Sequence, residues 1–379
     1  MERAVQGLAE AHAELGHEVH VVTSTYTADS RPREEMLNNV YVHRVDAWRI
    51  YYSDLIIPRY IPKDILRKAD IVHVHDHNSF FNMKFLKEAF KLKAKVACYL
   101  MAVNTFKSHP NPVIRLLAPI YDRSNIKKVS MMADLCLVKN LRDKTILEKK
   151  YGVKAECLPD GLPGYYFSKS QSDSIHFLEK FKIRHEKIFL FIGRMHKLKG
   201  PHILVRALKY LDKDIGVVLV GPDNGYLSKT LKLAEKLDVR SRVYYLGCLN
   251  EEDKIQAIDS SIAIVLPSIT DRVEVYPMVV SEAWAREKPV IASRVGGVPF
   301  RVKHGACGLL VDPGEPRALA EAMAELARNR ELAENMGRQC KDEVFTWRAI
   351  ALRSIDLYKD ILSRDSEKSI DAVPANLSG

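Results

Sequence analysis

Glu274 and Glu282 stand eight residues apart around what reads as the start of a helix, and Arg194 and Lys199 stand five apart beyond an apolar run. Ile262 to Leu266 reads as a buried parallel strand; Pro267-Ser268 turns it into a loop carrying Glu274, and Met278 to Arg286 reads as a helix. Such a helix N-terminus attracts anions, because its first amides lack intrahelical acceptors and sit at the positive end of the dipole. The amides of Val275, Tyr276, Met278 and Val279 can hold phosphate oxygens, while ionised Glu274 and Glu282 can accept hydrogen bonds from sugar hydroxyls. A ligand with both phosphate and hydroxyl groups fits. Arg194 and Lys199 follow the apolar strand Lys187 to Gly193, where fixed cations can stabilise charge on a departing anion. Either pair alone would be an ordinary solvated surface feature; the strand ahead of each points to a site.

The elements that position these residues follow from periodicity. Val217 to Gly221, Val243 to Gly247 and Ile262 to Leu266 are apolar runs, each followed by helical sequence, the alternation of a parallel α/β domain. Earlier in the chain, residues 40 to 45 and 70 to 75, Lys95 to Ala102 and Asp134 to Val138 read as strands. Met1 to Leu15 reads as an amphipathic helix ended by Gly16, so a helix precedes any strand. Phe80 to Lys95 mixes lysines with phenylalanines. It fits a helix whose aromatics pack on a sheet better than one lying on an anionic membrane, a reading that exposed aromatics would favour. His73, His75 and His77 alternate along one strand; without a second ligand cluster they read as strand-end histidines, not metal ligands.

The E-x7-E relation of Glu274 and Glu282, with Pro289-Val-Ile-Ala-Ser and Gly296-Gly297-Val-Pro after it, resembles the retaining glycosyltransferases of the family 4 type (glycosyl transferases group 1). The resemblance covers nearly the whole chain and is strongest from 187 to 315. It implies the GT-B fold: α/β, two Rossmann-like parallel-sheet domains facing across a cleft. The expected bounds are 1–163 for the acceptor-side domain, 176–345 for the donor domain and 346–363 for a helix crossing back, with a polar, disordered tail over 364–379. The linker falls in 162 to 175. Members place a strand and a glycine-rich loop before the first helix, so the first strand of this N-terminal domain is expected to be missing and to lie upstream of Met1.

The resemblance also implies chemistry: transfer of a hexose from a nucleotide-diphosphate sugar to a hydroxyl acceptor, with retention, no cofactor and no metal. Arg194 and Lys199 match the family's Arg-x4-Lys pair, which grips the leaving diphosphate. Glu274 would face the transferred sugar and Glu282 the nucleotide ribose, with Gly193, Leu249 and the stretch Val275, Tyr276, Pro277, Met278 and Val279 completing the donor site. One departure stands out. Where the family usually has a histidine that bonds the transferred sugar, this chain has Met101, with His109 eight residues on. A nucleotide-sugar-binding pseudoenzyme or partner subunit is therefore the alternative reading.

Composition excludes other classes. The chain has 379 residues, 47% hydrophobic and 28% charged, which suits two globular domains, and no apolar stretch approaches a membrane span. Neither half shows a G-x-G-x-x-G fingerprint, which disfavours an NAD enzyme. A net charge of +10 raises anionic partners, but no nucleic-acid motif is present. Nucleotide sugar, a glycan or lipid-linked acceptor and an anionic membrane surface remain. The six cysteines show no C-x-x-C spacing, which favours reduced thiols in a cytoplasmic protein, peripheral at the membrane if it handles lipid-linked acceptors.

Overall fold

The computed structural model describes residues 2–26, 30–49, 56–108, 111–168 and 174–370. The chain opens with α1 (Glu2–Glu14), β1 (Val19–Ser24), β2 (Glu34–Leu37), β3 (Val40–Val45), β4 (Ala47–Arg49), β5 (Ile56–Pro58) and α2 (Lys63–Lys68). It continues through β6 (Ile71–His75), α3 (Phe80–Lys91), β7 (Lys95–Tyr99), α4 (Pro112–Met132), β8 (Leu135–Val138), α5 (Leu141–Ile146) and β9 (Glu156–Cys157). Then come α6 (Ser174–Lys180), β10 (Lys187–Ile192), α7 (Pro201–Ala207), β11 (Ile215–Val220), α8 (Leu227–Lys236), β12 (Val243–Gly247), α9 (Glu251–Ser260) and β13 (Ala263–Leu266). The last elements are α10 (Met278–Ala285), β14 (Val290–Ser293), β15 (Gly308–Val311), α11 (Pro316–Arg328), α12 (Arg330–Gln339) and α13 (Trp347–Ile370).

Two compact units result: 1–161 with 346–379, and 162–345. The second carries one six-stranded parallel sheet in the order β12-β11-β10-β13-β14-β15. Its strands are apolar runs because both faces are covered, one by a core around Phe189, Val217 and Leu219, the other by a core around Ile188, Leu190 and Trp284. Leu162 and Tyr166, in the stretch read from sequence as linker, are buried in that second core.

In the first unit the strands fall into three sheets: β1-β3-β2, β4-β5 and the parallel β6-β7-β8-β9. β1 pairs with β3 and β6 with β7, and among the described residues no strand joins the free edges of β1 and β6. On one face of β7 and β8, α1 and α13 pack together through Leu8, Ala11, Tyr99, Ile350 and Tyr358.

α13 runs past Ser363 to Ile370 because no Gly or Pro interrupts 347–370; polarity alone does not end a helix. Residues 371–379 and His109 lie outside the described residues. On α3, Phe85 is buried and Phe81 packs on it, while Phe80 and Phe90 are exposed, so its aromatics are divided between core and surface. Met101 is half-buried against the α1–α13 core.

The reading of the cysteines as unpaired needs correction. Cys307 and Cys340, both buried, form a disulfide with their Cα atoms 5.5 Å apart, a pairing 33 residues apart that spacing rules do not expose. Cys98 and Cys136 are buried free thiols, and Cys248 is exposed.

Candidate donor site

In the second sheet β10 leads outward to β11 on one side while β13 leads to β14 on the other. Strand order reverses between β10 and β13, so the loops leaving their carboxyl ends diverge around a crevice. Those loops are 193–200 and 267–277, and they carry the residues that the sequence singles out.

After Gly193 the first loop passes Arg194, which is exposed, and tightens into a 3₁₀ turn over Lys197–Lys199. Gly200 then sits at φ +74°, and a Cβ there would lie 1.9 Å from the carbonyl oxygen of Pro267. Only glycine lets the two loops approach this closely. Pro201 opens α7 directly afterwards, at the first helical position where its missing N–H costs nothing.

This approach brings Lys199 to Glu274. The Lys199 Nζ donates to Glu274 Oε1 at 2.8 Å, and the Ser268 hydroxyl donates to the same oxygen at 2.5 Å. Glu274 is only 2% exposed, so its charge depends on these partners. Its backbone is held from the other side, where the Gly297 amide donates to Glu274 O at 2.7 Å and the Gly296 amide to Asp271 Oδ1 at 2.7 Å. At Gly296, with φ +56°, a Cβ would lie 2.3 Å from Glu274 O. The Gly-Gly pair thus seats the Glu274 loop.

Beyond that loop α10 begins at Met278 with Pro277 as its cap residue and no capping side chain. The amides of Met278 and Val279 belong to the first turn and have no acceptor within the helix. Arg301 braces this end: it donates to Pro277 O at 2.9 Å and to the Ser281 hydroxyl, and its guanidinium lies 4.0 Å from the Tyr276 ring centroid. A cavity of about 170 Å³ is lined by Lys199, Ser268, Glu274, Pro277, Met278 and Val279, with Phe191, Ile192 and Leu266 as its apolar wall.

Glu282 occupies a different setting, in the second turn of α10. Lys254 Nζ donates to Glu282 Oε1 at 3.1 Å and to Glu251 Oε2 at 2.8 Å, and the Tyr166 hydroxyl donates to that same Glu251 oxygen at 2.8 Å. Burial, reinforced by the charges of Glu282 and Glu251, pushes the Tyr166 hydroxyl far above its usual range and keeps it a donor. Leu249 is half-buried against the same core. The two acids are therefore not a solvated helix-face pair: each has its own lysine. Lys254 and Arg301 escape a reading of the sequence because their partners are distant along the chain, 28 and 20 residues away, while Ser268 lies in the loop already singled out, six residues from Glu274, without its role being visible.

His73 and His75 lie on β6 and His77 just beyond it. His73 stacks on His75 at 4.3 Å and on Tyr99 at 5.0 Å and shares a 2.7 Å hydrogen bond with the Tyr358 hydroxyl. Burial lowers His75 to about 3 and His77 to about 4, so both pack as neutral rings. No group of three or more His, Cys, Asp or Glu suited to a metal occurs among the described residues.

Comparison with known proteins identifies the family. The family model described as Glycosyltransferase Family 4 matches residues 1–156, and that described as Glycosyl transferases group 1 matches 175–343. The chain belongs to these glycosyltransferases, and its fold is GT-B. It is 32% identical over 192 residues to the D-inositol 3-phosphate glycosyltransferase of Corynebacterium glutamicum, covering 48% of this chain and 45% of that protein. The chain thus spans about half the length of the corynebacterial relatives it matches. An uncharacterised glycosyltransferase of Methanocaldococcus jannaschii is 25% identical over 376 residues, covering 93% and 92%. Among solved structures, the sucrose-phosphate synthase of Thermosynechococcus elongatus superposes with a TM-score of 0.73 at 22% identity, covering 95% and 93%, and Anabaena HepE in complex with UDP with 0.67 at 17%, covering 78% and 80%.

Proposed function

We propose that this protein transfers a hexose from a nucleotide-diphosphate sugar to a hydroxyl acceptor with retention of configuration. The observation that carries it is Lys199 paired with buried Glu274 at the sheet's switch point, beside exposed Arg194 and the first-turn amides of α10. In this reading the donor diphosphate rests on Arg194, Lys199 and the 275–279 backbone, Glu282 accepts from the ribose hydroxyls and the sugar faces Glu274. Charge builds on the diphosphate as the glycosidic bond breaks, and two preorganised side-chain cations stabilise it without calling on a divalent metal. The leaving phosphate oxygen takes the acceptor proton on the same face of the sugar.

UDP bound to HepE makes UDP-sugars the first donors to try, and the activity named for the corynebacterial relatives makes a phosphorylated polyol the first acceptor. A cytoplasmic protein working at the membrane on a lipid-linked acceptor also fits. No helix among the described residues is long and apolar enough to cross a membrane.

Met101 favours a second reading, a nucleotide-sugar-binding partner subunit, because a thioether packed against an apolar core offers the sugar no strong hydrogen bond. Incubation with UDP-, GDP- and ADP-sugars, following nucleoside diphosphate release, separates the two. Release supports transfer; binding without release, with every acceptor tried, supports the partner subunit.

A further inference from the structure

α4 carries its apolar residues on the wrong side for a helix that only has a core to fill. Its inner face is set by Ala118, Asp122, Asn125, Ile126 and Val129, all buried, with Ile126 and Val129 packed among β6, β7, β8 and α3. On the opposite side Val113, Leu116, Leu117, Ile120 and Met131 are 61%, 76%, 53%, 70% and 69% exposed. At 100° per residue Val113, Leu116, Leu117 and Ile120 form one stripe, and Arg123 and Lys127 continue it along the helix.

Charge is equally one-sided. Arg115, Arg123, Lys127 and Lys128 are all exposed, while the helix's one acid, Asp122, is buried. Asn111 caps the N-terminus by accepting from the Val113 amide at 2.9 Å, so the exposed first turns are anchored as helix despite having little packed around them. A stripe of aliphatic side chains in water, whose charged neighbours on this helix are all cations, leaves apolar area uncovered beside positive charge. A second copy of the helix would cover the aliphatics but bring its own cations against these. An anionic lipid surface satisfies both, taking the aliphatics among the headgroups and acyl boundary and the cations against phosphates.

We propose that α4 is the surface by which this protein lies on an anionic bilayer, with Leu116 and Ile120 as the inserted residues and Arg123 and Lys127 as the phosphate contacts. The surface is distinct from α3, to which the lysine–phenylalanine mixture of the sequence draws attention, and the inference stands independently of the donor site.

The test is flotation of the full chain with vesicles of phosphatidylcholine alone or with a minority of phosphatidylglycerol. Binding should require phosphatidylglycerol. Leu116→Ser with Ile120→Ser should weaken it by about 10-fold or more through lost apolar insertion, and Arg123→Glu with Lys127→Glu by about 10-fold or more through lost attraction. These positions are exposed, so melting temperature and UDP binding should be unchanged, and Phe80→Ser with Phe90→Ser on α3 should bind as the unaltered protein does. The proposal is overturned by absence of binding to the anionic vesicles, or by binding that survives both α4 variants. Self-association in sedimentation that Leu116→Ser abolishes would also overturn it, assigning the stripe to a second copy.

Discussion

Every residue of β11 and β13 is buried, and four of the six in β10 are, whereas none of the six residues of β1 is. β10 is paired on both sides and covered on both faces; β1 is paired on one side and its residues are at best half-buried. A sheet with no interruption between its central strands holds the ends of β10 and β13 in fixed register, and the close loop contacts at Gly200 and Gly296 then bring Lys199 to Glu274. The first unit has no such continuous platform. Its order rests on the four-stranded sheet and on the α1–α13 pair, and edges such as those of β1 and β6 are where backbone groups open to water first.

The comparison can be broken most severely with acid. Burial holds His12 and His77 at about 4 and His75 at about 3, all in the first unit. Since the unfolded chain protonates these rings near 6.5, it binds protons first as pH falls, and the stabilisation present above that pH is lost between about 6.5 and 4 for His12 and His77 and down to about 3 for His75. Each histidine is worth on the order of 3–5 kcal/mol over its window. The second unit holds His202, at about 4, as its one counterpart lowered so far among the described residues. Hydrogen exchange read by mass spectrometry at descending pH should therefore show protection collapsing in β1, β6 and α1 before β10, β11 and β13; simultaneous collapse would erase the distinction between the units.

A smaller effect is expected within the donor site. Lys199→Ala should reduce turnover by about 100-fold, the usual scale for one preorganised charge contact. It should also lower the melting temperature of the second unit, because Glu274 would be left buried with Ser268 as its remaining side-chain partner. Adding Glu274→Gln should recover the melting temperature and not the turnover. Recovery of both would mean that the pair only holds the loops together.

Smaller still is the expected division of labour between the acids. Glu282→Gln should weaken binding of free nucleoside diphosphate by about 10-fold, and Glu274→Gln should lower turnover more than that binding. Equal effects in calorimetry and kinetics would reduce the E-x7-E pair to a structural feature.

Much of the second unit was legible in the sequence because strands buried on both faces have little choice but unbroken apolar runs, as at Phe189–Phe191 and Val217–Val220. Less could be read where a contact depends on tertiary placement: the Cys307–Cys340 pairing, Lys254 against Glu282, and the outward stripe of α4. Periodicity shows that a helix has an apolar side and does not say which side meets the core.

Arg194 offers the most direct test, because it is exposed at the end of β10 and shares none of the pairing that complicates Lys199. Steady-state release of nucleoside diphosphate from the preferred nucleotide sugar should fall by about 100-fold in Arg194→Ala, with the melting temperature unchanged. An Arg194→Ala protein that turns over its donor like the unaltered chain would contradict the account of a diphosphate held by cations at the switch point of the second sheet.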